Sequence, residues 1–129
     1  SPDGRWLAYV AGADDAPGIF VRPFPNVMAG IWKLAGVGTE PRWNPNSNEL
    51  FFRQAGSLMA VAVQTHDGFQ FKTRQNLFDI TGYSRRPREP NYAVSSDGRR
   101  FLMIKEDVVG KIKVVLNLNA ELARLLPRE

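Results

Sequence analysis

The feature that most constrains the fold of this chain is an internal repeat. The segments 1–10, 44–53 and 95–104 align with one another, and each begins with a polar turn and continues into an aromatic or aliphatic run. They begin 43 and 51 residues apart, close to the roughly 40 to 50 residues of a four-stranded propeller blade. Helical repeats would fit the first spacing too, so the residues within each unit must decide.

Proline and glycine decide against helices, because they interrupt short β-branched and aromatic runs about every 8 to 12 residues. For the second and fullest copy we expect strands at 40–43, 49–53 and 58–64, turns at 44–48, 54–57 and 65–68, and a fourth strand supplied by 69–71 with 76–80. Both alternating sets of side chains in its third strand are apolar, namely Leu58, Ala60, Ala62 and Met59, Val61, Val63. A sheet packed between two neighbours requires this pattern.

The first and third copies are expected to differ from the second. The first supplies strands at 5–10, 18–23 and 31–35, and its own first strand should lie upstream of Ser1 or come from another chain. The third supplies strands at 91–94, 99–105 and 111–116, after which leucines spaced by three or four predict a short helix over 119–126. The predicted fold is all-β, with about three four-stranded antiparallel blades: an incomplete blade over 1–37, a full blade over 38–82, and a last blade with the C-terminal helix over 83–129.

Composition narrows the class of protein. The 129 residues are 43% hydrophobic and 23% charged, as in one soluble globular unit. The longest apolar run, 58–63, is far shorter than the roughly 18 residues of a membrane span, so no span is predicted.

The chain has no cysteine, which excludes disulfides and thiolate zinc sites. Its net charge of +4 permits weak attraction to anionic partners without requiring it. It begins at Ser1 rather than Met, which indicates a piece of a longer protein.

The repeated polar residues are interpreted as turn residues. Asp3, Asn46 and Asp97 each lie between two expected strands, where such a side chain accepts a backbone N–H two residues on. Calcium binding is the alternative, but the carboxylates occur one per blade and calcium needs six to eight oxygen ligands. We expect Trp43 to pack between adjacent blades, since one sheet cannot bury its ring, and we favour this over stacking on a nucleic acid.

No catalytic, metal or cofactor site is predicted. His66 is the one histidine, and it lies in a Thr-His-Asp-Gly turn where a solvated side chain is expected. Its neighbour Asp67 would point away from it, so a catalytic triad is disfavoured. A zinc site would draw on several His or Cys ligands, which this sequence lacks.

The most basic segment is a proline-bearing loop that holds Arg85, Arg86 and Arg88. Such loops are usually only solvated, but loops also carry function, and guanidinium groups bind acidic protein surfaces and phosphate. These three arginines are the candidate partner-binding residues. Nucleic-acid binding is not predicted, because the aromatic residues alternate as buried strand residues and do not interleave with the basic ones.

The segments 1–9 and 38–52 resemble the TolB-like β-propeller repeat, whose hallmark is a Ser-Pro-Asp-Gly turn entering an aromatic strand. The resemblance extends through 19–25, 58–63 and 114–117, with Asn46-Ser47 replacing Asp-Gly in the second copy and Ser96 replacing proline in the third. It is to the C-terminal propeller halves of bacterial proteins, including serine/threonine kinases with extracytoplasmic propellers. It implies a six-bladed ring, a periplasmic or otherwise extracytoplasmic location, and a protein-interaction or ligand-sensing role without catalytic residues.

We therefore expect a non-enzymatic binding module, the C-terminal fragment of a larger bacterial sensor or scaffold. The alternative is an accessory propeller of a prolyl-oligopeptidase-like hydrolase, and ligand binding in a central channel stays open as a third reading. Three blades would leave two blade faces exposed, at a cost of roughly 25 cal/mol for each Å² left in contact with water. We accordingly expect a homodimer in which two copies close a six-bladed ring.

Overall fold

A computed structural model of the chain describes residues 1–12, 17–66, 68–86, 89–106 and 112–114. In that part of the chain the structure consists of β-strands with no helix, and all strand pairing is antiparallel. The strands are β1 (Trp6–Ala11), β2 (Gly18–Pro23), β3 (Trp32–Ala35), β4 (Thr39–Trp43), β5 (Glu49–Gln54), β6 (Ser57–Gln64), β7 (Gln70–Asp79), β8 (Tyr92–Val94), β9 (Phe101–Glu106) and β10 (Ile112–Val114). The predicted all-β class is confirmed.

The strands form three sheets. Sheet 1 has the order β1-β2-β3, sheet 2 the order β4-β5-β6-β7, and sheet 3 the order β8-β9-β10. Within each sheet every strand pairs with the strand that follows it in the chain, so the connections are local, as antiparallel hairpins allow. The chain divides after Thr81 into two compact units. The first contains sheets 1 and 2, and the second contains sheet 3. Within the described residues, no helix is long and apolar enough to cross a membrane.

Sheet 2 has the four strands expected of the second copy. Its central hairpin turns at Ala55 and Gly56, whose φ angles of 48° and 80° are those of a type I′ turn. The prediction of a fourth strand in two pieces was wrong, because β7 runs without interruption from Gln70 to Asp79. The pairing of β7 with β6 contains two register shifts, so the strand continues although its apolar and polar residues do not alternate regularly. The polar residues 72–76 are exposed on this edge strand, where a polar stretch does not interrupt pairing.

Sheets 1 and 2 share one hydrophobic core. Buried side chains from both sheets form it, namely Ile19, Val21, Leu34 and Ala35 from sheet 1, and Leu50, Phe52, Val61, Val63 and Phe69 from sheet 2 and its β6–β7 turn. Phe69 lies in van der Waals range of two indoles, with ring centroids 4.5 Å from Trp6 and 5.0 Å from Trp32. Trp43 is partly buried against the same core. The expectation that Trp43 packs between adjacent sheets is confirmed.

The two faces of β6 are both buried, as the sequence predicted. Val61 and Val63 belong to the core shared with sheet 1, and Leu58 and Ala60 on the opposite face are also buried. Ala62 is the exposed exception. The central strand of a sheet covered on two sides therefore reads as a continuous apolar run instead of an alternation of apolar and polar residues.

Sheet 3 contains the strands expected of the third copy. Tyr92 lies opposite Met103, and Val94 lies opposite Phe101, so these four side chains share one face. Tyr92, Phe101 and Met103 are buried. The strand predicted over 111–116 is found as β10, over residues 112–114. The helix predicted over 119–126 lies outside the described residues.

Candidate interaction surfaces

The repeated turns are built by hydrogen bonds between side chain and backbone. Asp3 Oδ1 accepts the Arg5 backbone N–H at 3.0 Å and the Ser1 hydroxyl at 2.6 Å. Asp97 repeats both contacts with the residues two after and two before it, the backbone bond again measuring 3.0 Å. The glycine after each aspartate has a φ of 69°, a conformation that glycine adopts without a steric penalty. The interpretation of these two aspartates as turn residues is confirmed.

The second copy closes the same turn with a different side chain. Asn44 Oδ1 accepts the Asn46 N–H, and Asn44 Nδ2 donates to Glu49 Oε2, each at 3.0 Å. In all three copies the main-chain nitrogen at the start of the turn donates to the carbonyl that ends it, at 2.8 to 2.9 Å. The donors are the N-terminal ammonium of Ser1 to Trp6, and the backbone N–H groups of Asn44 to Glu49 and of Ser95 to Arg100. The turn geometry therefore survives the replacement of Asp-Gly.

These hydrogen bonds also set the charge state of the turns. The Ser1 hydroxyl and then the Arg5 N–H stabilise the ionised carboxylate of Asp3 and lower its pKa from 3.8 to about 2. The Ser95 hydroxyl, followed by a backbone N–H, lowers the pKa of Asp97 in the same way. Both carboxylates are thus engaged by their own turns. Among the residues that the structure describes, no group of three or more His, Cys, Asp or Glu side chains is placed to hold a metal ion.

His66 lies in the turn that follows β6. Its side chain is exposed, and its backbone carbonyl accepts a hydrogen bond from Gln64 Nε2 at 3.3 Å. Asp67 lies outside the described residues. The described surroundings of His66 are those of a solvated turn residue, as the sequence indicated.

One buried amide, that of Asn91, anchors the described residues on either side of positions 87 and 88 in the arginine loop. Asn91 Oδ1 accepts the Arg86 backbone N–H at 2.7 Å, and Asn91 Nδ2 donates to the carbonyls of Arg86 and Glu89 at 3.0 and 2.9 Å. The side chains of Arg85 and Arg86 are exposed, and Arg88 lies outside the described residues. Arg86 lies 3.7 Å from the Glu89 carboxylate, an exposed contact of the kind that contributes little to stability. Binding of an acidic surface or phosphate by these arginines stays a prediction.

A second surface was not anticipated from the sequence. Residues 24–31 connect β2 to β3, and we call this segment the apolar loop. Phe24, Met28 and Ile31 are 56%, 83% and 51% exposed. Monomeric soluble proteins rarely leave large apolar side chains clustered in contact with water unless the surface binds something.

The apolar loop is held in place from three directions. Arg22 Nη1 donates to the Val27 carbonyl at 2.7 Å, while Arg22 Nε donates to the Tyr9 hydroxyl at 2.8 Å. The Phe24 N–H donates to the Arg5 carbonyl at 2.8 Å. At the far end, a Cβ on Gly30 would lie 2.5 Å from the Trp32 ring, so only glycine lets the backbone pass so close to the indole. The loop therefore presents its apolar side chains from a defined backbone.

A sequence signal for this loop exists. Proline, asparagine and glycine mark 24–31 as a connection between strands. Its large apolar residues have no strand in which to alternate, so an inward orientation could not be assigned to them. The combination of turn-forming residues with Phe24, Met28 and Ile31 is the pattern that should have been singled out.

Comparisons of the chain with protein-family models, with curated proteins and with solved structures find no match. The resemblance to TolB-like propellers therefore rests on the sequence motifs.

Proposed function

We propose that this chain is a non-enzymatic module that binds a protein partner through the apolar loop. The observation that supports this most directly is the exposure of Phe24, Met28 and Ile31 in one anchored loop. Exposed aromatic and aliphatic anchors on a fixed backbone are typical of the residues that dominate binding energy at interfaces. Because the hydrogen bonds of Arg22 to the Val27 carbonyl and of the Phe24 N–H to the Arg5 carbonyl already hold the loop, binding costs less conformational entropy than it would for a free segment.

Comparison of the repeats supports a functional rather than a structural origin for the apolar loop. The same connection in the second copy, from β6 to β7, is shorter and contains Thr65, His66 and Gly68. The fold therefore makes this connection without large exposed apolar residues. Joining the two strands therefore does not require the exposed apolar residues of the first copy. Recognition of a partner accounts for them.

The composition of the loop defines the chemistry of that partner. Residues 24–31 contain no charged side chain, so the contact is driven by burial of apolar surface and not by ion pairs. The partner should present an uncharged groove or a peptide with aliphatic and aromatic residues.

The proposal includes the larger assembly suggested by the sequence motifs. The sheets would be blades of a TolB-like β-propeller within a bacterial extracytoplasmic protein, and the apolar loop would project from the first blade. Two features support it: the repeated turns have matching hydrogen bonds in the first and third copies, and sheets 1 and 2 pack face to face through apolar side chains.

Selection from a displayed library of random peptides on the immobilised chain tests the proposal. We expect enriched peptides to carry paired aromatic or aliphatic residues. Their binding should weaken by about tenfold or more when two anchors are removed together in the variant Phe24→Ser/Ile31→Ser. Isothermal titration with one synthetic peptide gives the affinities.

The matched control is Val37→Ser, which removes an equally exposed apolar side chain from the connection between β3 and β4. The control should bind the peptide as the unaltered chain does. Peptides that bind the double variant as tightly as the unaltered chain, or that fail to be enriched at all, would show that the apolar loop is not a recognition surface.

A further inference from the structure

Met28 lies in the middle of a closed turn within the apolar loop, and its side chain is 83% exposed. The Ala29 N–H donates to the Asn26 carbonyl at 3.1 Å, which closes the turn 26–29. The Val27 N–H donates to the Pro25 carbonyl at 3.0 Å. These bonds join backbone atoms only, so the thioether of Met28 is open to solvent without any unfolding of the chain.

The other two of the three methionines in the chain are shielded. Met103 is 2% exposed, and Met59 is partly buried against the core that sheets 1 and 2 share. Oxidation of sulfur follows its exposure, so a buried methionine reacts only when the surrounding structure opens. The chain has no cysteine, so no thiolate competes for an oxidant. Met28 is therefore the sulfur that an oxidant in solution reaches first.

We infer that Met28 is an oxidation site that regulates the apolar loop, and that its conversion to the sulfoxide weakens binding of the partner. The inference rests on the proposed function of the loop. The oxidant belongs to the class that transfers one oxygen atom, such as hydrogen peroxide. The sulfur lone pair attacks a peroxide oxygen, and the S–O bond forms as the O–O bond breaks. The departing hydroxide takes the proton of the transferred hydroxyl and becomes water, so sulfur loses the two electrons that the peroxide gains.

The sulfoxide changes the chemistry of the loop without changing the bonds that hold it. Residues 24–31 contain no charged side chain, so the proposed contact depends on burial of apolar surface. A sulfoxide oxygen accepts hydrogen bonds from water, and its burial in such a contact carries a cost unless the partner supplies a donor. The hydrogen bonds from Arg22 to the Val27 carbonyl and from the Phe24 N–H to the Arg5 carbonyl use no methionine side chain. Oxidation of Met28 should therefore lower the affinity and leave the folded chain as stable as before.

Limited oxidation of the full chain with hydrogen peroxide tests whether Met28 reacts first. Trypsin places the three methionines on separate peptides, so mass spectrometry follows each residue over time. Met28 should be oxidised at least about tenfold faster than Met103. The chain oxidised only at Met28 should have the urea midpoint of the untreated chain. Equal rates at the two residues, or a lowered midpoint, would overturn the inference.

Isothermal titration with a peptide selected on the untreated chain tests the effect on binding. Oxidation of Met28 should weaken binding by about fivefold or more, as does the loss of one interface anchor. Treatment with the two stereospecific methionine sulfoxide reductases should restore the affinity. Met28→Leu cannot form a sulfoxide, so its affinity should be the same before and after peroxide. Met59→Leu is the matched control, since it removes a shielded methionine, and it should lose affinity on peroxide treatment as the unaltered chain does.

The outcomes separate this inference from the proposed function on which it rests. Binding that is weakened by Phe24→Ser/Ile31→Ser but unchanged by oxidation of Met28 would overturn the inference and leave the proposed function standing. Peroxide sensitivity that persists in Met28→Leu would place the responsible oxidation elsewhere and would likewise overturn the inference alone. An untreated chain that binds no peptide through the apolar loop would overturn the proposed function and this inference together.

Discussion

Leu50→Ala and Leu7→Ala together test the packing on which the fold depends. The two leucines occupy equivalent positions of the repeat, in β5 and β1, and have the same chemistry. They differ in one respect, since Leu50 is fully buried in the core between sheets 1 and 2 whereas Leu7 is half-exposed. The difference between the two losses in free energy of unfolding therefore measures what burying this leucine position against a neighbouring sheet contributes to stability.

The expected magnitudes follow from burial. Truncating a buried leucine removes its transfer free energy and leaves a cavity, so Leu50→Ala should lower the free energy of unfolding by about 3 kcal/mol. Leu7 is 46% exposed. Folding therefore removes only about half of its side chain from water, and truncating it leaves no closed cavity. Leu7→Ala should therefore cost about 1 kcal/mol or less.

Urea unfolding followed by tryptophan fluorescence measures both values. The three tryptophans, Trp6, Trp32 and Trp43, all pack against this core, so the signal reports its disruption. Equal costs at the two positions, or a cost below about 1 kcal/mol for Leu50→Ala, would refute the packing of sheet 2 on sheet 1.

Two further predictions concern the turns. Ala55 has a φ of 48° at the first central position of its type I′ turn, where asparagine is preferred. Ala55→Asn should therefore raise the free energy of unfolding by about 0.5 kcal/mol, measured as an increased urea midpoint. An unchanged or lower midpoint would contradict the turn assignment. Because the folded-state pKa values of Asp3 and Asp97 are lowered, that of Asp3 from 3.8 to about 2, their stabilisation is present above the unfolded value and is lost as the pH falls below it. The urea midpoint of Asp3→Asn/Asp97→Asn should accordingly fall less steeply in this acidic range than that of the unaltered chain, and equal slopes would argue against the turn hydrogen bonds.

Local features of the fold could be predicted from the sequence because they depend on neighbouring residues. The turns at Asp3 and Asp97 use contacts within a few residues, and the apolar run of β6 signals a strand covered on both faces. The continuity of β7 could not be predicted, because it depends on register shifts against β6. No particular residue type marks these shifts in the sequence. The repeat could not predict that Leu7 is exposed while Leu50 is buried, because the two leucines align in sequence. Their difference in exposure arises only when whole sheets pack together.

Exposed Leu7 in β1 and the exposed residues of the apolar loop differ in how they relate to the repeat. Leu7 occupies a repeat position whose counterpart in the second copy, Leu50, is buried in the core that sheets 1 and 2 share. Phe24 and Met28 occupy a connection whose large apolar residue in the second copy, Phe69, is buried in the core. Phe24 and Met28 are instead 56% and 83% exposed, so the packing that buries Phe69 does not cover them. Variants of the loop should therefore weaken peptide binding without lowering the urea midpoint, whereas Leu50→Ala should lower the urea midpoint while the folded chain still binds the peptide.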